Sequence, residues 1–423
     1  MELLSPAGSL EKLATAYRYG ADAAYIGVHG FSLRTHADAI PGEDPEALAA
    51  DLRRLKAGGR KLYAALNLFA HQDDLRRVPD VLSRLAVLPI DAVILADIGL
   101  IDAVNRAMPG VELHLSTQAN CTNAAAARVY HRLGFSRIVP SRELSLDEVR
   151  AIKDAVPGLE VEVFVHGAMC MAYSGRCFLS DELAGRSANR GDCAQSCRWK
   201  YRVEQYRLEE RQRPGRFIPV ESDGRFTTIL SSRDLNLFDH IPELMEAGVD
   251  AVKIEGRMKS SLYVAAVTRS YRAAIDACAG ADVASGTPVG DLDAHRQELF
   301  RIAHREYTAG FLFGDGTVHE PAEGDTPGDH RLMAVVDDRA PHLGPDAWRL
   351  TVKNTIHAGT TIEYLPQNPA SPTRVTDRSF TLLTPDGAPT DRVTNADHGA
   401  IVPSPEVAHS LAAGTVIRAA RRA

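Results

Sequence analysis

Four of the six cysteines of this chain fall within 28 residues, in "HGAMCMAYSGRC" (166–177) and "GDCAQSCRWKY" (191–201). Their spacing is Cys170-x6-Cys177-x15-Cys193-x3-Cys197. Structural zinc sites usually join two close Cys-x2-Cys pairs, whereas here only Cys193 and Cys197 are close, and by a wider step. Iron–sulfur clusters accept more varied spacing, because a four-iron cube is larger than one ion and takes a thiolate at each corner. Thiolates with no histidine among them exclude hard cations and suit iron–sulfur or zinc. Spacing therefore favours a metal centre over free thiols, with iron–sulfur ahead of zinc. The rival is a cysteine nucleophile, since His166 stands four residues before Cys170, but no third group orients such a pair. Cys121 and Cys278 are isolated and read as small buried apolar residues.

The elements that must carry these thiols follow from composition and pattern. The chain has 423 residues, 45% hydrophobic and 24% charged, enough for two domains with real cores. "MELLSPAGSLEK" has no basic stretch followed by an apolar run, and no 18-residue apolar, uncharged run occurs, so neither a secretory signal nor a membrane span is expected. A cytoplasmic setting is the expectation, where clustered cysteines are metal ligands or redox groups more often than disulfides. The net charge of −7 excludes a protein that coats nucleic acid over its whole surface, so any such contact must be local. Residues 186–216 offer one candidate, with nine basic side chains against four acidic ones.

Short β-rich runs ("ELLSPAG", "AAYIGV", "KLYAALNLF", "DAVILAD", "VELHLSTQ", "SRIVP", "VEVFVHG", "DAVKIEG") alternate with amphipathic stretches such as "LSLDEVRAIKDAVPG". Eight strand–helix units predict an α/β fold, a (β/α)8 TIM-like barrel over residues 1–318. No Gly-x-Gly-x-x-Gly follows the first strand, so a dinucleotide fold lacks its fingerprint. Between strands seven and eight lie more than 80 residues. This Cys-rich insert, about 168–235, holds the four thiols, the basic run and an expected β-hairpin, and "DLNLFDHIPELMEAG" then reads as the helix before strand eight. A Pro/Gly/Asp-rich linker (319–330) leads to a small all-β C-terminal domain (331–423), read as a β-barrel or sandwich.

Strand alternation selects what faces the lumen. It sends Glu162, Phe164 and His166 of strand seven inward, with Lys253 and Glu255 of strand eight and His114, Ser116 and Gln118 of strand five. Glu2, His114 and Glu162 lie low in the barrel and read as structural, in ion pairs such as Lys253 with Glu162 or Glu255. His166, Gln118 and Glu255 fall at the C-terminal strand ends, where barrel enzymes place their active sites. His166, Lys253 and Glu255 are thus the candidate catalytic residues. Gln118, Arg198, Lys200 and Arg257 are candidate substrate contacts through hydrogen bonds or charge, and Trp199 or Tyr173 through stacking.

Glu162-x-Phe164-x-x-Gly167-Ala168-Met169-Cys170, followed by Gly175-x-Cys177-x-Leu179-Ser180, resembles the signature of the collagenase-like U-32 peptidase family. "SPAGSLEKL", "GADAAYIG", "DLNLFDHIPELMEAGVDAVKIEGRMKS" and "YTAGFLFG" resemble its other hallmarks, so the likeness covers nearly the whole chain. One departure is His304, where the pattern leads one to expect Asn. Within the family the chain looks most like the tRNA-hydroxylating branch. That resemblance implies prephenate-dependent, O2-independent conversion of the wobble uridine of tRNA to 5-hydroxyuridine. It also implies a 4Fe–4S cluster on Cys170, Cys177, Cys193 and Cys197. The implied partners are the tRNA anticodon loop, prephenate and a homologous second subunit, with no membrane. Relatives that hydroxylate ribosomal RNA or a quinone ring, and the peptidase activity of the family's older name, are the alternatives; no His-Glu-x-x-His motif or convincing triad supports peptide hydrolysis.

Overall fold

The computed structural model describes residues 1–28, 30–32, 45–170, 172–174, 176–190, 193–198, 208–209, 217–218, 221–222, 227–228, 232–280, 292–314 and 328–421. The chain divides into two compact units. One comprises Met1–Ser9, Ala23–Met258 and His304–Thr326; the other comprises Leu10–Asp22, Lys259–Ala303 and Pro327–Ala423.

The first unit is built on eight parallel strands: β1 (Glu2–Pro6), β2 (Ala23–Gly27), β3 (Lys61–Leu66), β4 (Ala92–Leu95), β5 (Glu112–Leu115), β6 (Phe135–Ile138), β7 (Glu160–Ala168) and β8 (Ala251–Ile254). They pair in chain order, and β8 pairs with both β7 and β1, which closes the barrel expected from the eight β-rich runs. These strands are rich in Leu, Val, Ile and Ala and are covered on both faces, the usual composition of a parallel sheet. Local chemistry sets the helix ends. Before Leu146–Ala155, Ser145 accepts from the Glu148 backbone N–H while the Glu148 carboxylate accepts from the Ser145 N–H.

The end of β7 departs from simple alternation. Lys253 pairs with Phe164 but Ile254 pairs with His166, so β7 carries one extra residue, Val165. A bulge of one residue moves all that follows to the opposite face. His166 therefore stands beside the outward Ile254 rather than in the lumen, and its ring lies 5.4 Å from that of Tyr307. Beyond the bulge, β7 leaves the barrel and pairs antiparallel with Asp234–Asn236, which in turn pairs with Tyr307–Thr308. "DLN" is thus a strand rather than part of a helix. The Asn236 side chain accepts from the Phe238 N–H (3.1 Å), and the helix begins only at Ile241, with Pro242 in its first turn. In the insert, Leu208–Glu209 pairs with Phe217–Ile218, and Glu221–Ser222 with Thr227–Thr228: two short antiparallel pairs where one hairpin was expected.

The lower lumen holds a charged layer. The Arg137 guanidinium reaches Glu2 (2.6 Å), Glu160 (2.6 Å) and Glu162 (3.2 Å), and Lys253 reaches Glu162 (2.8 Å). The Tyr63 hydroxyl donates to Glu2 (2.9 Å). The buried His114 ring lies within 3.2 Å of Glu112 and edge-on to Tyr63. Burial acts to raise the Glu162 carboxyl, but Lys253 and Arg137 outweigh it and hold it below the ordinary carboxylate range.

The second unit contains the helices Leu10–Arg18, Ser261–Ala279 and Asp293–Leu299 and an eight-stranded antiparallel sheet. Its strands are β9 (His330–Arg339), β10 (Trp348–Val352), β11 (Ile362–Leu365), β12 (Val375–Asp377), β13 (Thr381–Leu383), β14 (Pro389–Thr390), β15 (Ala400–Val402) and β16 (Val416–Ala420). They are ordered β12-β11-β16-β9-β10-β15-β13-β14, and the two edge strands are not paired to each other among the described residues. The sheet curls over one apolar core that includes Trp348, Leu350, Tyr364, Phe380 and Ile417. Buried Arg418 is held by Glu298 and Glu363. Among the described residues no helix is long and apolar enough to cross a membrane.

Replacing Arg137 with Leu leaves Glu2 and Glu162 without their shared cation and is expected to lower unfolding free energy by about 3–5 kcal/mol, measured by denaturant titration. Because the folded Glu162 carboxyl lies below its ordinary 4.5, its contribution is full above that value and is lost as pH falls through the lower, folded value. E162Q should flatten that acid limb of the stability profile, and an unchanged limb would show that Glu162 is not coupled to folding.

Candidate active site

The C-terminal strand ends and the insert enclose one cavity, with about 1060 Å3 of empty space open to solvent. It is lined by Cys170, Cys177, Cys193 and Cys197, and by Gln118, Lys253, Glu255 and Arg257. Eight of the residues singled out from sequence thus meet in one place. All four cysteines are without disulfides and partly buried. His166 is not among the described lining residues. Arg198 closes a single 3-10 turn, Ser196–Arg198; its side chain, and all of Trp199 and Lys200, lie outside the described residues. Tyr173 is on the Cys170–Cys177 loop with 54% of its surface exposed, and Phe178, beside Cys177, is 80% exposed. Of the isolated cysteines, Cys121 is buried, which pushes its thiol up to about 11, while Cys278 is only partly buried.

The loop that presents the thiols is held by polar contacts to its backbone. Gly167 has φ +104°, a conformation that suits glycine, just where the strand leaves the barrel. Ser232 donates to the Met169 carbonyl (2.7 Å), next to Cys170. The Glu143 carboxylate accepts from the Ser174 N–H (2.7 Å) and hydroxyl (2.5 Å), while the Ser174 Oγ accepts from the Arg142 N–H (3.0 Å). The Asn189 amide brackets Cys177: its oxygen accepts from the Cys177 N–H and its nitrogen donates to the Cys177 carbonyl, both at 3.1 Å. Phe69 of the barrel donates its N–H to the Asn189 carbonyl (3.3 Å). The Ser180 hydroxyl accepts from the Ala194 N–H (2.9 Å), beside Cys193. Among the described residues, no three His, Cys, Asp or Glu side chains are gathered as a single-ion site.

The lining is mostly cationic or neutral, with Glu255 its one carboxylate among the described residues. Tyr25 donates to the Ile254 carbonyl (3.0 Å) and reaches Glu255 (3.3 Å), and the Lys253 ammonium lies 4.6 Å from the Tyr25 ring centre. Asn67 donates to the Gln118 side-chain oxygen (3.2 Å), fixing that amide at the mouth. Arg257, nearly fully buried, donates to Ser32 (3.1 Å). Sequence reasoning missed Arg142, Tyr25 and Asn67. Arg142 carried a readable signal, since it is the first charged residue after a barrel strand, on the face where active sites form.

The pattern describing peptidase family U32 matches residues 8–320. The chain is 37% identical over 345 residues to tRNA hydroxylation protein P of Escherichia coli K12, covering 74% of each chain. It is 43% identical over 276 residues to tRNA hydroxylation protein P1 of Bacillus subtilis 168, covering 65% of this chain and 63% of that protein. It is also 35% identical over 325 residues to a collagenase of Porphyromonas gingivalis W83, covering 74% of this chain and 73% of that protein.

Asn189→Ala removes both bonds to the Cys177 backbone, a local cost of about 1–3 kcal/mol. In metal-free protein, Cys177 should then be alkylated severalfold faster by iodoacetamide, read by peptide mass spectrometry, with buried Cys121 slow in both proteins. Equal Cys177 rates would show that the amide does not order this loop.

Proposed function

The chain belongs to peptidase family U32, and from that premise we propose that it hydroxylates tRNA, converting the wobble uridine to 5-hydroxyuridine with prephenate as co-substrate and without O2. The observation that carries the reading is the convergence of four thiols and a cationic lining on one barrel mouth. Relatives named for tRNA hydroxylation support the substrate class.

In this proposal Cys170, Cys177, Cys193 and Cys197 hold a 4Fe–4S cluster. Four thiols line one cavity, and a four-iron cube takes a thiolate at each corner. When bound, the cluster would supply one-electron chemistry beside the cavity. The chain's own residues do the rest. Tyr173 and Phe178, exposed beside the thiols, offer faces on which a splayed anticodon base stacks. Gln118, held by Asn67, presents an amide to the base edge. In this reading Glu255, the one described carboxylate of the lining, acts as a proton acceptor beside the bound base. Lys253, ion-paired with Glu162, adds positive charge to the cavity wall. Arg198, Trp199 and Lys200 extend the cationic and stacking surface in this reading.

The collagenase among the relatives raises a peptidase reading. A cysteine nucleophile needs a base, and no histidine is among the described lining residues; His166 is turned to the outer face of β7. This favours hydroxylation over peptide cleavage.

Protein purified without oxygen should be brown and hold about four irons per chain, and C177S and C193S should each lower that content. Expression of the chain in a strain lacking tRNA uridine hydroxylation should restore 5-hydroxyuridine, read by nucleoside mass spectrometry. Iron-free protein after reconstitution would overturn the cluster. Unrestored 5-hydroxyuridine, with modified ribosomal RNA or quinone or with gelatin cleavage, would overturn the substrate.

A further inference from the structure

Three arginines among the described residues have a buried Nε without a hydrogen-bond partner: Arg142, Arg233 and Arg272. Two of them are nonetheless neutralised. Arg233 pairs with Glu306 (3.1 Å), and Arg272 with Asp22 (3.0 Å) and Asp276 (2.6 Å). The buried Arg137, Arg305 and Arg418 likewise sit on carboxylates. Arg142 has no such partner among the described residues. Its guanidinium lies 4.0 Å from the centre of the Phe164 ring, and its one side-chain hydrogen bond runs from Nη1 to the Ala168 carbonyl (3.3 Å). A guanidinium carries five N–H donors, and leaving them unmade away from water costs free energy.

The place of this group indicates what completes it. Arg142 lines the cavity of the four cysteines, together with Lys253 and Arg257. It also borders a smaller pocket walled by Val149, Val163, Met169, Leu235 and Phe311. Its backbone N–H donates to the Ser174 hydroxyl, and its guanidinium is held by the Ala168 carbonyl and the Phe164 ring. A guanidinium packed against a ring keeps its edge for a planar, two-oxygen acceptor, the geometry in which arginine exceeds lysine.

We infer that Arg142 is the carboxylate receptor of this cavity, binding a small organic acid seated beside Phe164. Phe164 and Lys253 are nearly buried within the barrel. A small acid can reach that depth, whereas a backbone phosphate of a polynucleotide would have to bring its flanking sugars with it. With Lys253 and Arg257 also in the lining, against Glu255 as its one described carboxylate, the cavity favours an anionic ligand over a neutral one. The inference rests on the reading above to the extent that prephenate is the acid; the receptor itself stands apart from that identity.

The test is direct binding to the anaerobically purified protein by calorimetry, with prephenate, phenylpyruvate, inorganic phosphate and an anticodon stem-loop RNA as probes. R142Q is expected to weaken the carboxylates on the order of tenfold or more, with R142K intermediate and iron content unchanged in both. R142K decides the matter if R142Q does not fold. Carboxylate affinities within twofold of the parent protein would overturn the inference, as would losses confined to phosphate or RNA. Arg142-dependent binding of phenylpyruvate without binding of prephenate would uphold the receptor and refute prephenate as the co-substrate.

Discussion

The extra residue in β7 decides where the chemistry of this chain is built. Seven of the eight barrel strands end at the rim. β7 alone continues, because the register slip at Val165 releases it from β8 and lets it pair with Asp234–Asn236. Two consequences follow from one backbone feature. His166 is turned to the outer face beside Tyr307. The chain that follows, through Gly167 in a glycine-favoured conformation, carries Cys170 over the mouth instead of back along the barrel wall. The return strand anchors the same point: Asp234 both extends the side sheet and holds Arg305 (2.6 Å). Both ends of the insert are thus fixed where it leaves and rejoins the barrel.

Below this rim the lumen is stratified by charge. Arg137 and Lys253 are matched by Glu2, Glu160 and Glu162, so the lower layer resolves its own electrostatics. Breaking such a buried set costs more than forming it gains, which keeps each member where it is. Lys253 belongs to both floors. Its ammonium is tied to Glu162 below while it lies near the rings of Tyr25 and Phe164 in the wall above. With Lys253 committed to Glu162, the described charges of the upper floor are Arg142 and Arg257 with the carboxylate of Glu255. Above a lower layer matched by its own carboxylates, Arg142 is the lining cation that meets no carboxylate among the described residues.

The barrel was legible in the sequence because each strand is a short apolar run buried on both faces, and eight such runs recur with helices between them. The thiol cluster was legible because its members are close along the chain and begin just past a strand end. What sequence could not yield depended on pairing across distance. Residues 161–166 alternate perfectly, and nothing in them announces the bulge; the competing partner that opens it lies near residue 235. Arg137 sits in a four-residue strand too short to show a period, and its partners Glu2, Glu160 and Glu162 come from elsewhere in the chain. "DLN" read as helix because its helical neighbours share the same apolar spacing, while its strand state is imposed by β7. Arg142 lay in a turn, where an arginine is ordinarily assigned to solvent.

The thiol-bearing loop is fastened through its backbone. Its anchoring contacts run from side chains to backbone: Ser232 to Met169, Glu143 to Ser174, Asn189 to Cys177, Ser180 to Ala194 and Ser196 to Leu179. None of these contacts uses a cysteine side chain. Each falls within one or two residues of a thiol or at the hinge between two of them, so the peptide frame is set while the sulfurs stay unlinked by disulfides. Small zinc domains work in the opposite order, since their ligands are brought together by the ion and the fold is lost without it. Here the closed barrel supplies folding free energy independently of the thiols. The loop that carries the thiols is ordered largely by polar contacts to its backbone. The same contacts leave Tyr173 and Phe178 exposed, since neither is needed to fill a core beneath the loop.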